Sequence, residues 1–261
     1  MITADYHMHT TFCDGHSAPE EMVRSALDLG LAEIGFSAHS HTPFDESYCI
    51  RKDKIEAYYK EISALKTKYA GRIRILFGFE QDYYSPPPTV PVDYLIGSVH
   101  YIRFGQEYVP TDEGNANLRR AADKYCGGDL YAVAEEFFRT EADVVNKTGC
   151  QIIGHFDTIT KYFEKEALLD TAHPRYRRAW QDAVDALLPT GVPFEINTGS
   201  ISRGARQNPL PSYEIMDYVC AHGGSLILSS DAHRAEHIAF QFDKYEQYAK
   251  DHGLKLIGRM R

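Results

Sequence analysis

Arg74-Ile75-Leu76-Phe77-Gly78-Phe79-Glu80 and Tyr94-Leu95-Ile96-Gly97-Ser98-Val99-His100 share one plan: a run of mostly apolar residues that ends in a residue able to bind metal. Runs with so little polar alternation read as strands covered on both faces, as in a parallel sheet. The plan recurs along the chain. Further candidate strands lie at 3–9, 33–37, 151–155, 193–197 and 226–231, which makes seven.

Helical patterns fill the intervals. Ser17-Ala18-Pro19-Glu20 reads as a capping box with an early proline. Met22, Val23, Ala26 and Leu27 then mark one apolar face, which Gly30 ends. Within 52–70, Ile55, Tyr58, Tyr59, Ile62, Leu65 and Tyr69 recur at helical spacing. Further helices are expected from Asp129 to about residue 147, from Pro174 to about 188, from Ser212 to the Gly223-Gly224 pair, and over roughly 235–252. Strands alternating with helices point to a parallel sheet with helical crossovers. No linker or repeat divides the chain, so residues 1–261 are expected to form one domain. The expected fold is a closed or nearly closed α/β barrel, with an open doubly wound sheet as the alternative. The stretch 101–128 is the one long irregular segment, of the kind that often serves as a lid or insertion.

Composition narrows the function classes. The 261 residues carry a net charge of −9, which excludes a broad basic surface for nucleic acid. An acidic protein can still bind an anion where bound metal ions supply positive charge. No apolar run approaches the roughly 20 residues of a membrane helix. The five cysteines form no C-x-x-C pair. They read as reduced thiols of a cytoplasmic protein rather than a disulfide framework. The N-terminus runs directly into Asp5, His7 and His9, unlike a signal peptide.

The placement of histidine carries the functional reading. His7 and His9 end the first strand two residues apart, so their imidazoles point to one side. His39, Glu80, His100 and His155 fall at the ends of later strands, and Asp231 and His233 repeat the same-face spacing at the last. In an α/β barrel these ends meet at one mouth, where active sites form. His16 follows the first strand in a loop expected to overhang that mouth. Any one of these histidines alone is more often a packed core residue; their recurrence on strand after strand favours metal ligands. His173, His222, His237 and His252 lie at helix ends and read as structural or solvent-facing. His41, close to His39, is a candidate substrate contact.

Together these segments resemble the PHP family, named for polymerases and histidinol phosphatases. The resemblance rests on H-M-H-T at 7–10, D-G-H at 14–16, S-A-H-S at 37–40, Glu80, G-S-V-H at 97–100, G-H-F-D at 154–157 and S-S-D-A-H at 229–233. It spans almost the whole chain in the family order. It implies a distorted TIM-like barrel of seven β/α units holding three divalent metal ions. By that resemblance, His7, His9, Glu80 and Asp231 hold one metal, His16, His39 and His233 a second, and His100, His155 and a bridging Glu80 the third. The ligand types suit zinc, manganese or iron without choosing among them.

Within the family, the chain is most similar to the stand-alone histidinol-phosphate phosphatases. E-I-N-T at 195–198 and G-H-F-D-x-x-x-K-Y at 154–162 carry that likeness. The resemblance implies hydrolysis of a small phosphomonoester by a hydroxide bridging the metals, with Glu80, Asp231 and His233 as catalytic residues. Arg203 and Lys161 would offset phosphate charge, with Arg206 as the alternative to Arg203. Asn197 and Glu195 would support the metal ligands or meet the substrate amine. The alternatives are a PHP phosphoesterase for phosphotyrosine, a nucleotide or a sugar phosphate, and a catalytically silent metal-binding module.

Overall fold

The computed structural model describes residues 2–260. Eight parallel strands form one curled sheet: β1 (Ala4–Asp5), β2 (Glu33–His39), β3 (Arg74–Asp82), β4 (Tyr94–Ser98), β7 (Ile152–Ile153), β8 (Phe194–Asn197), β9 (Leu226–Ser229) and β10 (Leu256–Ile257), in that spatial order. The first seven are the strands expected from the sequence. Beyond Asp5, the chain continues beside the extension of β9. His9 N–H donates to Ala232 O at 2.8 Å, and Ala232 N–H donates to His7 O at 3.1 Å. These two bonds join β1 to β9 and close a seven-stranded ring. β10 pairs with the opposite end of β9, at Leu226 and Ile227. The result is a distorted TIM-like barrel with an additional strand.

The two-residue period of β3 shows how the site is made. Ile75, Phe77 and Phe79 pack outward with Tyr58, Ile62 and Leu65 of α2 (Ile55–Lys68). Leu76, Gly78 and Glu80 occupy the opposite, inward face. Below the site the interior is plugged by Tyr94, whose hydroxyl donates to Tyr6 O at 2.5 Å. Gly35 and Gly78 leave the room for its ring: a Cβ at Gly35 would lie 2.7 Å from Tyr94 Cζ, and one at Gly78 would lie 2.8 Å from Tyr94 Cε1.

Several local expectations change. α1 (Pro19–Asp28) begins one residue later than the proposed cap: Glu21 accepts from the Ala18 N–H at 2.8 Å, while Ser17 Oγ accepts from Ala235 N–H at 3.1 Å. The long segment 101–128 is ordered into a hairpin, β5 (Tyr101–Phe104) with β6 (Glu107–Pro110), followed by α3 (Asn115–Tyr125). The helix expected from Asp129 breaks into α4 (Leu130–Glu141) and α5 (Val144–Thr148). α6 (Pro174–Leu187) and α8 (Tyr213–Ala221) lie where expected, and the single turn α7 (Gly199–Ser202) follows β8 ahead of α8. The last helix, α9 (Phe242–Asp251), starts later than expected because Ala239 and Gln241 take left-handed backbone conformations. Among the described residues, no helix is long and apolar enough to cross a membrane.

Candidate metal centre

The C-terminal ends of the strands bring together most of the residues singled out from the sequence. Glu80, 1% exposed, stands at the middle. Its Oε2 lies 2.9 Å from His39 Nδ1, 3.1 Å from His7 Nε2 and 3.4 Å from His9 Nε2. Its Oε1 lies 2.7 Å from His155 Nε2 and 3.1 Å from His100 Nε2. Asp231 Oδ1 lies 3.1 Å from His9 Nε2. Four overlapping groups result: His7, His9 and Asp231; His7, Glu80 and His155; His39, Glu80 and His100; and His9, Asp14, His39 and His233. Within each, one donor atom from every residue lies within 4.8 Å of the others.

These residues fit cations. His7 Nε2, His9 Nε2, His39 Nδ1, Asp14 Oδ1 and Glu80 Oε2 are buried without a hydrogen-bond partner among the described residues; the three imidazole nitrogens face Glu80 Oε2, and Asp14 Oδ1 lies 3.7 Å from the opposite ring nitrogens, His9 Nδ1 and His39 Nε2. Buried polar atoms are otherwise almost always satisfied. Electrostatics points the same way. Burial would raise Glu80, but the imidazoles of His7, His39 and His100 outweigh it and hold the carboxyl well below its ordinary range. Burial also works against the charge on Asp231, yet Arg203 and His7 keep it strongly acidic. His9 is pushed down to about 3 by burial and by His233 and His39, which leaves a neutral ring with a lone pair to give. Mixed imidazole and carboxylate donors suit zinc, manganese and iron.

A further layer holds these donors. Glu195, fully buried, meets His7 Nδ1 at 2.6 Å and accepts from the His155 N–H at 2.8 Å. Asn197 Nδ2 donates to Glu195 Oε2 at 2.9 Å and to Asp231 Oδ2 at 3.3 Å. Asp82 accepts from the His100 N–H at 3.1 Å. Asp231 itself takes a left-handed backbone, with φ of 48°, a conformation that costs energy in a non-glycine residue. Gly199 permits its approach, since a Cβ there would lie 2.7 Å from the Asp231 side chain.

Above the donors opens a cavity of about 560 Å³, lined among others by His16, Tyr48, Asp112, Lys161, Arg203 and His233. Arg203 Nη2 donates to Asp231 Oδ2 at 2.8 Å, and its Nη1 donates to Asp231 O at 2.7 Å and meets His233 Nδ1 at 2.8 Å. Lys161 donates to Asp112 at 2.9 Å. Burial would discharge Lys161, but Asp112 offsets this and keeps it an ammonium; burial likewise opposes ionisation of Asp112, and Lys161 with His100 brings it down to about 2.

Not every sequence candidate joins the cluster. His16 is exposed on the cavity rim, its backbone N–H donating to His233 O at 2.7 Å, and Asp14 of the same D-G-H segment faces His9, His39 and His233. His41 turns toward Glu46, 3.6 Å away, and does not line the cavity. Asn197 is fully buried behind Asp231 rather than at the cavity wall. Arg206 points to Thr160. Asp82 and Asp112 were not singled out from the sequence, and Asp14 was named only within the D-G-H segment, without a ligand role. The Glu80–Asp82 same-face spacing is a signal that could have revealed Asp82; Asp112 had none.

Residues 5–199 match the PHP domain, and the chain belongs to that family. At the level of whole chains it is 28% identical to a "Probable histidinol-phosphatase" of Deinococcus radiodurans, covering 97% of this chain and 95% of that one. It is 25% identical to the histidinol-phosphatase of Bacillus subtilis, covering 94% and 98%. Its fold matches the crystal structure of histidinol phosphate phosphatase from Lactococcus lactis complexed with zinc, L-histidinol and phosphate, with a TM-score of 0.73, 22% identity and coverage of 98% and 95%.

Proposed function

We propose that this protein hydrolyses L-histidinol phosphate to L-histidinol and phosphate, a cytoplasmic step of histidine biosynthesis. The observation that carries the chemistry is the convergence of unpaired imidazole and carboxylate atoms on Glu80, beneath a cavity lined by the cationic side chains of Arg203 and Lys161. The full-length likeness to histidinol-phosphatases selects the substrate.

Three divalent ions, zinc, manganese or iron, are proposed to be held by His7, His9, Glu80 and Asp231, by His39, His233 and Asp14 with His16 at the rim, and by His100, His155 and Glu80. Such ions supply Lewis acidity and lower the pKa of water toward about 7. The protein's own groups do the rest. Glu195 fixes His7 so that Nε2 faces Glu80, and Asn197 and Arg203 occupy Asp231 Oδ2 so that Oδ1 is left for the centre. Arg203 and Lys161 bind phosphate oxygens and offset their charge. The poor alkoxide leaving group needs a proton. Asp231 and His233 line the cavity and His41 does not; Asp231 is held ionised, so the proton is assigned to His233. Fixed charge and positioning then provide most of the rate enhancement.

The test is phosphate release from L-histidinol phosphate, p-nitrophenyl phosphate and a phosphotyrosine peptide, before and after chelation. Strong preference for the first, lost with chelator and restored by metal, is expected. Preference for either other substrate would reassign the enzyme within its family. No release from any of them by metal-loaded protein would favour a silent metal-binding module.

A further inference from the structure

Arg203 and Lys161 approach the cavity from different segments, and a second set of contacts ties those segments together behind them. Lys161 follows a short 3-10 turn, Thr158–Thr160, and its own N–H donates to Thr158 O at 2.9 Å. Arg203 ends α7, its N–H donating to Gly199 O at 3.1 Å. The chain then folds back, with Ala205 and Arg206 N–H both donating to Ser200 O, at 2.9 and 3.2 Å.

Arg206 leaves this turn on the side away from the cavity. Its side chain is only 7% exposed, and Nη1 donates to Thr160 Oγ1 at 2.9 Å and to Thr160 O at 3.3 Å. The reverse contact comes from Glu164, which accepts from Gln207 N–H at 2.5 Å and Asn208 N–H at 3.2 Å. Each segment thus sends one charged side chain onto the backbone of the other. The residue immediately after Thr160 is Lys161, and three residues before Arg206 is Arg203.

We propose that Arg206 and Glu164 are positioning residues: a reciprocal clasp that fixes the separation of Lys161 and Arg203 and so sets the phosphate-binding geometry. Arg206 touches neither the cavity nor the donor cluster, so it acts through Thr160 and Lys161. The inference rests on the phosphatase reading for its substrate, but the clasp is tested on phosphate binding alone. Placement errors of about 1 Å are enough to lower catalysis substantially.

The experiment measures inorganic phosphate affinity of the metal-loaded protein by calorimetry, and KM and kcat for L-histidinol phosphate. Arg206→Ala, Lys161→Ala and the double variant are compared. Arg206→Ala is expected to weaken phosphate binding roughly tenfold and to raise KM more than it lowers kcat. In the Lys161→Ala background the same change should have little further effect, because coupled residues are not additive. Unchanged phosphate affinity, or a loss that adds fully to that of Lys161→Ala, would overturn the proposal. If Arg206→Ala does not fold, Glu164→Ala, at an exposed residue, is read by the same criteria. A wild-type protein that binds phosphate but leaves L-histidinol phosphate intact would refute the substrate and leave the clasp still tested by binding.

Discussion

Replacing Glu195 by glutamine should cripple metal binding although Glu195 is not placed as a ligand. Its Oε1 faces His7 Nδ1 at 2.6 Å, and its Oε2 accepts two N–H groups, from His155 at 2.8 Å and Asn197 at 2.9 Å. A carboxylate serves all three donors. An amide has one oxygen and one NH2. If the oxygen stays with His155 and Asn197, the NH2 confronts His7 Nδ1 and requires it to be the acceptor. The ring proton then moves to Nε2, the atom 3.1 Å from Glu80, and blocks it as a donor to metal. In the other orientation the NH2 meets two N–H donors and leaves both unsatisfied. Either way about 1.5–3 kcal/mol of charge-assisted hydrogen bonding is lost, which matches the 10–100-fold fall in metal affinity typical when such a partner is removed. Competition with a chromogenic chelator, with elemental analysis of the dialysed protein, measures it. Glu195→Gln protein with wild-type metal content and affinity would refute the idea that this carboxylate sets the His7 tautomer.

Glu80→Gln should lose at least one metal ion by elemental analysis, and full occupancy with full activity would remove Glu80 as a bridge. Arg203→Ala should lower kcat/KM for L-histidinol phosphate roughly 100-fold, the scale of losing one donor to developing oxyanion charge; an unchanged value would place phosphate elsewhere. Glu141, fully buried, finds no hydrogen-bond partner for either oxygen among the described residues, and burial, only partly offset by His100, holds its carboxyl well above the ordinary range. Folding then requires proton uptake above about pH 4.3, so its contribution is intact below that pH and declines as pH rises toward the shifted folded value. Glu141→Met should therefore stabilise the protein by about 1–3 kcal/mol at pH 8 and less at pH 4, read as Tm; a lower Tm at pH 8 would show that Glu141 has a partner.

The strand ends were legible because the relevant information is local. Apolar run, terminal donor and same-face spacing all lie within a few residues, as in 74–80. The choice between Asp14 and His16 was not local. It depends on how the loop after His9 folds back: Thr11 N–H donates to Ser17 O at 3.1 Å, and Gly15 packs so tightly that a Cβ would lie 2.4 Å from the His9 backbone. That turn directs Asp14 inward and leaves His16 outside. The hairpin at 101–110 escaped notice for a related reason. It is two strands of four residues each, anchored by rings from elsewhere, such as Phe44 stacked on Tyr108 at 3.8 Å. β10, two residues long, exists only because β9 offers it an edge. Asn197 was seen as functional, but its reach to Asp231 follows from the register of β8 and β9, which pairs Asn197 with Ser229.

The seam of the barrel runs through its own reaction centre. The amides that join β1 to β9 belong to His9 and Ala232, flanked by His7 and His233. Cations gripping those side chains would also rivet the ends of the chain together, so loading with metal and shutting the ring become a single cooperative event. Amide exchange at His9 and Ala232 should slow on loading far more than at Phe77 or Ile96, in the middle of the wall. An enzyme built this way senses its own metallation: stripped of ions, it would begin to open along the line where it works.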